Sequence, residues 1–370
     1  MILVVNAGSS SLKYRLFDAG STVAAGLIER IGAVADHAAA MRRAAAELDL
    51  AALPLDAIGH RVVHGGTRFR APTVVDDEVL AALRALCPLA PLHQPANLAG
   101  IEMTRALRPD VVQLAVFDTA LHATLPPAAA TYALDAGIAA RYGIRRYGFH
   151  GISHRYVSRR TAALLGRDVA ELNTIVLHLG NGASAAAIAG GRSVETSMGL
   201  TPLEGLVMGT RTGDLDPAVT FHLARQAGLT LDAIEELYEH RGGLRGLCGD
   251  NDLRAVQRRA AGGDPDAVLA IDVYCHRIRK YVGAYYAVLG RLDAIAFTAG
   301  VGEHSAAVRQ QCLQGLAALG IVVDPARNAR PGNDQARVIS PTGAPVAVCV
   351  VPTDEERAIA DEVVEALGPQ

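Results

Sequence analysis

"VVNAGSSSLKYRLFD" (residues 4–18) opens on an apolar run, turns through small polar residues and leaves on an alternating one. Residues 2–5 predict a buried strand. Residues 11–17, with Leu12, Tyr14 and Leu16 on one face, predict a second strand paired with the first. Gly and Ser in the turn let backbone N–H groups converge without side chains in the way, which makes a nest for anionic oxygens. The same plan recurs in "TIVLHLGNGASAAAIAGG" (174–191), where an apolar strand runs into Asn181, Gly182 and Ser184 before a second strand. Taken singly, each turn also reads as an ordinary hairpin. Taken together, they predict a duplicated unit whose two turns clasp a polyphosphate.

Working outward, helical periodicity runs over 77–87, 95–107, 154–165, 217–227, 265–289 and 305–319, and residues 36–52 are alanine-rich with a helical look. Strand-like runs occupy 56–63, 111–117, 293–298 and 345–351. Alternation of the two predicts α/β layers. Residues 262–266 and 324–334, rich in Gly, Pro and Asp, read as surface connections. With 370 residues and half of them hydrophobic, the chain has material for two ordinary domains. No low-complexity linker separates them, so the halves are expected to pack around a cleft.

A formal charge of −3 gives no reason to expect nucleic acid or an anionic membrane as partner. No run of about 18 apolar residues offers a membrane span, and the apolar start breaks at Asn6 before it resembles a leader. The five cysteines, at 87, 248, 275, 312 and 349, are widely spaced and form no CxxC or Cys/His pattern. They read as reduced, buried thiols of a cytoplasmic protein.

Several charged residues sit where strands should end. "GHRVVHGG" (59–66) carries His60, Arg61 and His64; "VFDTALH" (116–122) ends a strand at Asp118; "MGTRTGDLDPAV" (208–219) presents Arg211, Asp214 and Asp216 ahead of a helix. Asp118 would cap the next turn in a purely structural role, and Asp216 before Pro217 suits a helix start. A buried guanidinium, however, needs an anion, and two separate arginines can clamp a carboxylate and a phosphoryl group. His150 and His154 are spaced i,i+4, yet Gly151 stands where a zinc protease carries Glu. His60, His64, His93, His122 and His178 read as core or supporting groups. "AGVGEH" (299–304) follows a buried strand and opens a helix, but it lacks Rossmann spacing, and no GxxxxGK[ST] occurs. In "VVPTDEERAIADEVVEAL" (350–367), Thr353 and Glu356 match a capping box. Glu355 there suits either a helix N-terminus or a magnesium ion reached through water.

Together NAGSSSLKY, GHRVVHGG, YGFHGISH, HLGNGAS, TSMGLTPLEGLVMGTRTGD, AGVGEH and PTDEE resemble the acetate kinase (acetokinase) family, within the superfamily of actin-like ATPases and sugar kinases. The resemblance spans nearly the whole chain. It implies an α/β fold of two duplicated actin-like ATPase (ribonuclease H-like) domains with an interdomain nucleotide cleft. Residues 1–122 with a returning helix at 357–370 would form the acyl-substrate lobe, and 123–356 the nucleotide lobe. It implies a catalytic set of Arg61, Asp118, His150 and Arg211, and an acetate pocket of Arg61, Val63, Leu92, Phe149 and Pro202. Nucleotide contacts would come from Lys13, His178, Leu179, Gly180, Asn181, Gly182, Asp252, Leu253, Arg254, Gly300, Val301, Gly302, Glu303 and His304. Asn6 and Glu355 would attend Mg²⁺ (or Mn²⁺). The implied reaction is phosphoryl transfer between ATP and acetate in a cytoplasmic homodimer. A propionate or butyrate kinase is the near alternative, and an actin-like ATPase without a small acceptor the remote one. The sequence departs from the family at His304, where Asn is usual, at Gln94-Pro95-Ala96, and in a shortened stretch between Arg30 and His60.

Overall fold

A computed structural model of the chain describes residues 1–8, 11–29, 31, 34–91, 93–332 and 335–368. It divides into two compact units. The first comprises Met1–Ala123, Phe149–Ser153 and Asp354–Gln370; the second comprises Thr124–Gly148 and His154–Thr353.

The first unit is built on β1 (Ile2–Ala7), β2 (Ser11–Asp18), β3 (Ser21–Glu29), β4 (Ala57–Val62), β5 (Thr73–Val74) and β6 (Val112–Phe117), in the order β3-β2-β1-β4-β6-β5. β1, β2 and β3 form an antiparallel meander, while β1, β4 and β6 run parallel. The second unit repeats this with β7 (Asn173–Leu179), β8 (Ala183–Ala189), β9 (Arg192–Thr196), β10 (Ala294–Thr298), β11 (Arg337–Val338) and β12 (Ala347–Val350). Read from its other edge, the second sheet is β9-β8-β7-β10-β12-β11, the same pattern element for element. The duplication suggested by two short turns therefore extends to twelve strands.

Strand alternation decides which side chains meet which layer. On β1 and β4, Leu3, Val5 and Ile58 join Met41 and Ala44 in one core cluster. Gly59 faces the opposite way, onto helix Glu355–Leu367. A Cβ at Gly59 would stand 2.8 Å from Val363 and 2.9 Å from Ile359, so only glycine admits the helix this closely. Two residues on, the same face brings Arg61 to the start of that helix. In the second unit, β7 and β8 pack against helix Pro265–Leu289, and β8 is built largely of small, wholly buried alanines at 183 and 185–187.

The expected helices appear within a few residues, as Val34–Glu47, Asp77–Ala85, Gln94–Leu107, Gly151–Leu164, Ala218–Gln226 and Pro265–Leu289. The run over 305–319 does not stay helical. It forms Ala306–Leu313, then breaks where Gly315 adopts φ +84°. Residues 324–334, expected as a connection, hold a short helix at Pro325–Ala329 started by Asp324. The helix cap falls one residue beyond the expected Thr353. Asp354 is the N-cap and accepts from Arg357 N–H, so the helix begins at Glu355. Cys248, Cys275, Cys312 and Cys349 are buried free thiols, and Cys87 is half-buried. No described helix is long and apolar enough to cross a membrane.

Candidate active site

In the first unit the parallel strands β1, β4 and β6 all end on one edge, where ligands of open α/β sheets bind. Asn6, Arg61 and Asp118 lie at those ends, and the Asp118 amide N–H continues the ladder to Val62 O at 3.0 Å. Arg61 donates through Nη2 to Asp118 Oδ2 at 2.7 Å and through Nε to both carboxylate oxygens at 3.2 and 3.3 Å. Its Nη1 reaches Asn6 Oδ1 at 3.3 Å and lies 3.8 Å from Glu355. Asn6 Nδ2 in turn donates to Glu356 Oε1 at 3.3 Å. Arg15 grips Asp354 with two 2.8 Å contacts and so ties β2 to the helix start.

Burial alone would lower the Arg61 guanidinium, but Asp118, Glu355 and Glu356 outweigh it and hold Arg61 firmly protonated. Burial pushes the Asp118 carboxyl above the ordinary aspartate value, against the downward pull of Arg61. Asp118 is 1 % exposed, so its two oxygens serve Arg61 and not bulk water.

Around this pair the main chain is tightly specified. Asn97 accepts from Val63 N–H at 2.9 Å and donates to Ala7 O at 2.5 Å. Gln94, wholly buried, accepts from His64 N–H and donates to His64 O. Gln94 thus supports the His64 main chain. Phe149 is buried, meets His64 edge-on at 5.6 Å, and its carbonyl contacts His122 Nε2 at 3.0 Å. Burial drops both His60 and His64 to about 4, leaving them neutral. His150 adopts φ +56°, the left-handed region, immediately before Gly151. The Gly151 N–H bonds Asp118 O at 2.8 Å, and a Cβ there would lie 2.2 Å from that oxygen. Val63 is buried; Leu92 falls outside the described residues, as do Ser9 and Ser10 of the first turn. Lys13 is exposed on β2, opposite Asn6 in register.

The second unit holds a cavity of about 580 Å³. Of the expected nucleotide residues, Gly180, Asn181, Asp252, Leu253, Arg254, Gly300, Val301 and His304 line it. His178, Leu179, Gly182, Gly302 and Glu303 adjoin these in sequence but do not line the space, and neither does Lys13. The turn is closed by Gly180 N–H to Gly182 O at 3.0 Å, and Asn181 O accepts from Gly209 N–H at 2.9 Å. His178 lies on β7 opposite Ser184, whose hydroxyl contacts His154 Nε2 at 2.7 Å. The AGVGEH stretch, expected as a turn before a helix, is itself helical over Ala299–His304, entered through Ala299 at φ +62°. Glu303 is turned to Thr298 and to the Thr353 N–H at 3.1 Å. Arg309, 1 % exposed, donates to the carbonyls of Gly302 and Glu303, both at 2.9 Å, and to Asn328. Burial lowers it to about 10. Nothing in the sequence singled out Arg309, nor the cavity residues Gln257, Tyr274 and Ser305.

Arg211 lies in the same unit, between Thr210 and Thr212. Its Nε donates to Glu239 Oε2 at 2.5 Å. Asp214 closes the loop behind it, accepting from Gly205 N–H and from the Tyr281 hydroxyl, both at 2.9 Å. Pro202 also belongs to this unit. Among the described residues no three His, Cys, Asp or Glu side chains gather as a metal cage. A hard cation that keeps its waters and leans on substrate phosphates needs no such cage. Asn6 and Glu355, the latter 18 % exposed at its side chain, fit that kind of partner.

The Acetokinase family matches residues 29–361. The chain is 58% identical to the acetate kinase of Streptomyces coelicolor, over 98% of this chain and 95% of that one. The crystal structure of Porphyromonas gingivalis acetate kinase superposes with a TM-score of 0.91 at 38% identity, covering 99% of each chain. A propionate kinase structure from Francisella tularensis gives 0.90 at 38% identity, covering 98% of each.

Proposed function

The chain belongs to the acetokinase family, and from that premise we propose that it is a magnesium-dependent acetate kinase. It transfers the γ-phosphoryl group of ATP to acetate, reversibly, giving ADP and acetyl phosphate. The second unit's cavity takes the nucleotide, with Asn181, Asp252 to Arg254, Gly300, Val301 and His304 at its walls. The first unit takes the acyl substrate beside Arg61, Val63 and Phe149.

The observation that carries the chemistry is the Arg61–Asp118 pair at the strand ends. Acetate, with a carboxyl pKa near ~4, is already ionised at neutral pH, so it needs no base. The obstacle is repulsion between two anions. Arg61 and Arg211 supply positive charge, and His150 supplies an N–H, to the equatorial oxygens of the phosphoryl group during in-line transfer. Asp118 then works as a positioning residue. Its raised carboxyl would make a proton acceptor, but its oxygens are committed to Arg61. Asn6 and Glu355 would hold Mg²⁺ through water; bound there, the ion neutralises charge on the transferring phosphate.

Hydroxylamine trapping with acetate, ATP and Mg²⁺ tests this reading directly. Acetyl hydroxamate must form at the rate ADP appears. ADP release without hydroxamate would favour an ATPase lacking a small acceptor. The likeness to a propionate kinase supports a second reading. One methylene changes binding by only about 1–3 kcal/mol, so kcat/KM for acetate, propionate and butyrate must be compared side by side. Free thiols throughout suit a cytoplasmic enzyme. The family implies a homodimer, which light scattering of the purified chain checks.

A further inference from the structure

We infer that Glu239 is the positioning residue for Arg211, the counterpart in the second unit of Asp118 acting on Arg61; this rests on the acetate kinase reading. Glu239 lies near the end of helix Leu231–His240. Its Oε2 accepts from Arg211 Nε at 2.5 Å, with side chains only 11% and 18% exposed. The main chain around the contact is pinned on both flanks. Thr210 Oγ1 donates to Glu239 O at 2.9 Å, and Thr212 N–H donates to Tyr238 O at 3.1 Å. The following Gly242-Gly243 turn permits the approach, since Gly243 has φ +58° and a Cβ there would meet Met208 O at 2.2 Å.

A guanidinium is a planar fork. Held at Nε by a buried carboxylate, it cannot swing, and the four N–H bonds of Nη1 and Nη2 keep one direction. Among the described residues those two nitrogens make no hydrogen bond. Arg61 is held by the same kind of partner, a buried carboxylate on Nε and Nη2. A carboxylate on Nε lets the arginine present its remaining donors to an anion without first finding its orientation, as preorganised stabilisation of a transition state requires.

The test is a cycle of Glu239→Ala, Glu239→Gln, Arg211→Ala and the double variant, read by hydroxamate formation and by melting temperature. A misoriented catalytic group costs roughly 10²-fold, so Glu239→Ala should lose about that much in kcat with KM for ATP little changed. Glu239→Gln, which keeps an oxygen facing Nε, should recover most of the loss. In the Arg211→Ala background, Glu239→Ala should add nothing further, because its effect passes through Arg211. If Glu239→Ala does not fold, Glu239→Asp, whose shorter side chain withdraws the carboxylate from Nε, takes its place in the cycle with the same expected loss. A folded Glu239→Ala variant as fast as the parent or faster overturns the inference, as do losses that multiply in the double variant. An inactive parent would instead sink the acetate kinase reading, so the two failures are told apart.

Discussion

Asp118→Asn separates a residue that orients Arg61 from one that accepts a proton. The parent carboxylate takes three contacts, at 2.7, 3.2 and 3.3 Å. Asn keeps one acceptor oxygen and turns an NH₂ toward a guanidinium that can only donate. The change removes at least one charge-assisted hydrogen bond, roughly 1.5–3 kcal/mol. If Arg61 works chiefly in the transition state, kcat falls by roughly 10- to 150-fold, since each 1.36 kcal/mol is tenfold. The shape of the pH profile is decisive. Burial raises the Asp118 carboxyl, so a proton-accepting Asp118 would give the parent an acid limb in kcat/KM. Asp118→Asn would abolish that limb. An orienting Asp118 instead yields a variant slower at every pH, with the profile unchanged in shape. Coupled ADP detection from pH 5.5 to 9, with circular dichroism at each pH, makes the comparison. A limb present in the parent and missing from the variant refutes the positioning role; so does a folded variant within threefold of the parent.

Arg211→Ala should lose at least ~10³ in kcat while the far-ultraviolet spectrum persists, because an arginine serving a phosphoryl transition state is worth that much; a folded variant within tenfold of the parent contradicts the role. Glu355→Gln should raise the Mg²⁺ concentration for half-maximal rate about tenfold, the scale of an outer partner of a metal, and an unchanged titration removes Glu355 from that task. Burial holds His60 and His64 at about 4, below their ordinary 6.5. The unfolded chain therefore binds more protons between pH 6.5 and 4, and stability is full above that window and drains as pH falls through it. Each histidine should take away about 2 kcal/mol between pH 7.5 and 5. Urea unfolding of His60→Gln should show a correspondingly smaller loss, and a slope equal to the parent's would exclude the burial account.

Local pattern carried much of this protein. Buried runs and alternation marked the strands that end at Asn6, Arg61, Asp118 and His178, because burial on one or both faces leaves a periodic imprint on neighbouring residues. The two Gly/Asn turns announced the duplication that both sheets bear out in full strand order. β3 left no such imprint: almost all of Ser21–Glu29 is exposed or half-exposed on a sheet edge, so its side chains had no face to alternate against. Arg309 sits within a short helix and reads as surface, yet it is buried against the carbonyls of Gly302 and Glu303. Its partner Asn328, 19 positions away, reaches it only through the fold.

The partners of the charged residues were decided at that second level. Arg61 meets Asp118 across 57 positions and Arg211 meets Glu239 across 28. The residue types and strand ends were written in the chain by near-neighbour sterics and burial. Which carboxylate holds which arginine depends on how parallel strands and returning helices align, and no local spacing encodes that. A charge removed from water must find its counter-charge wherever the packed elements happen to bring one, so only the tertiary structure could name it.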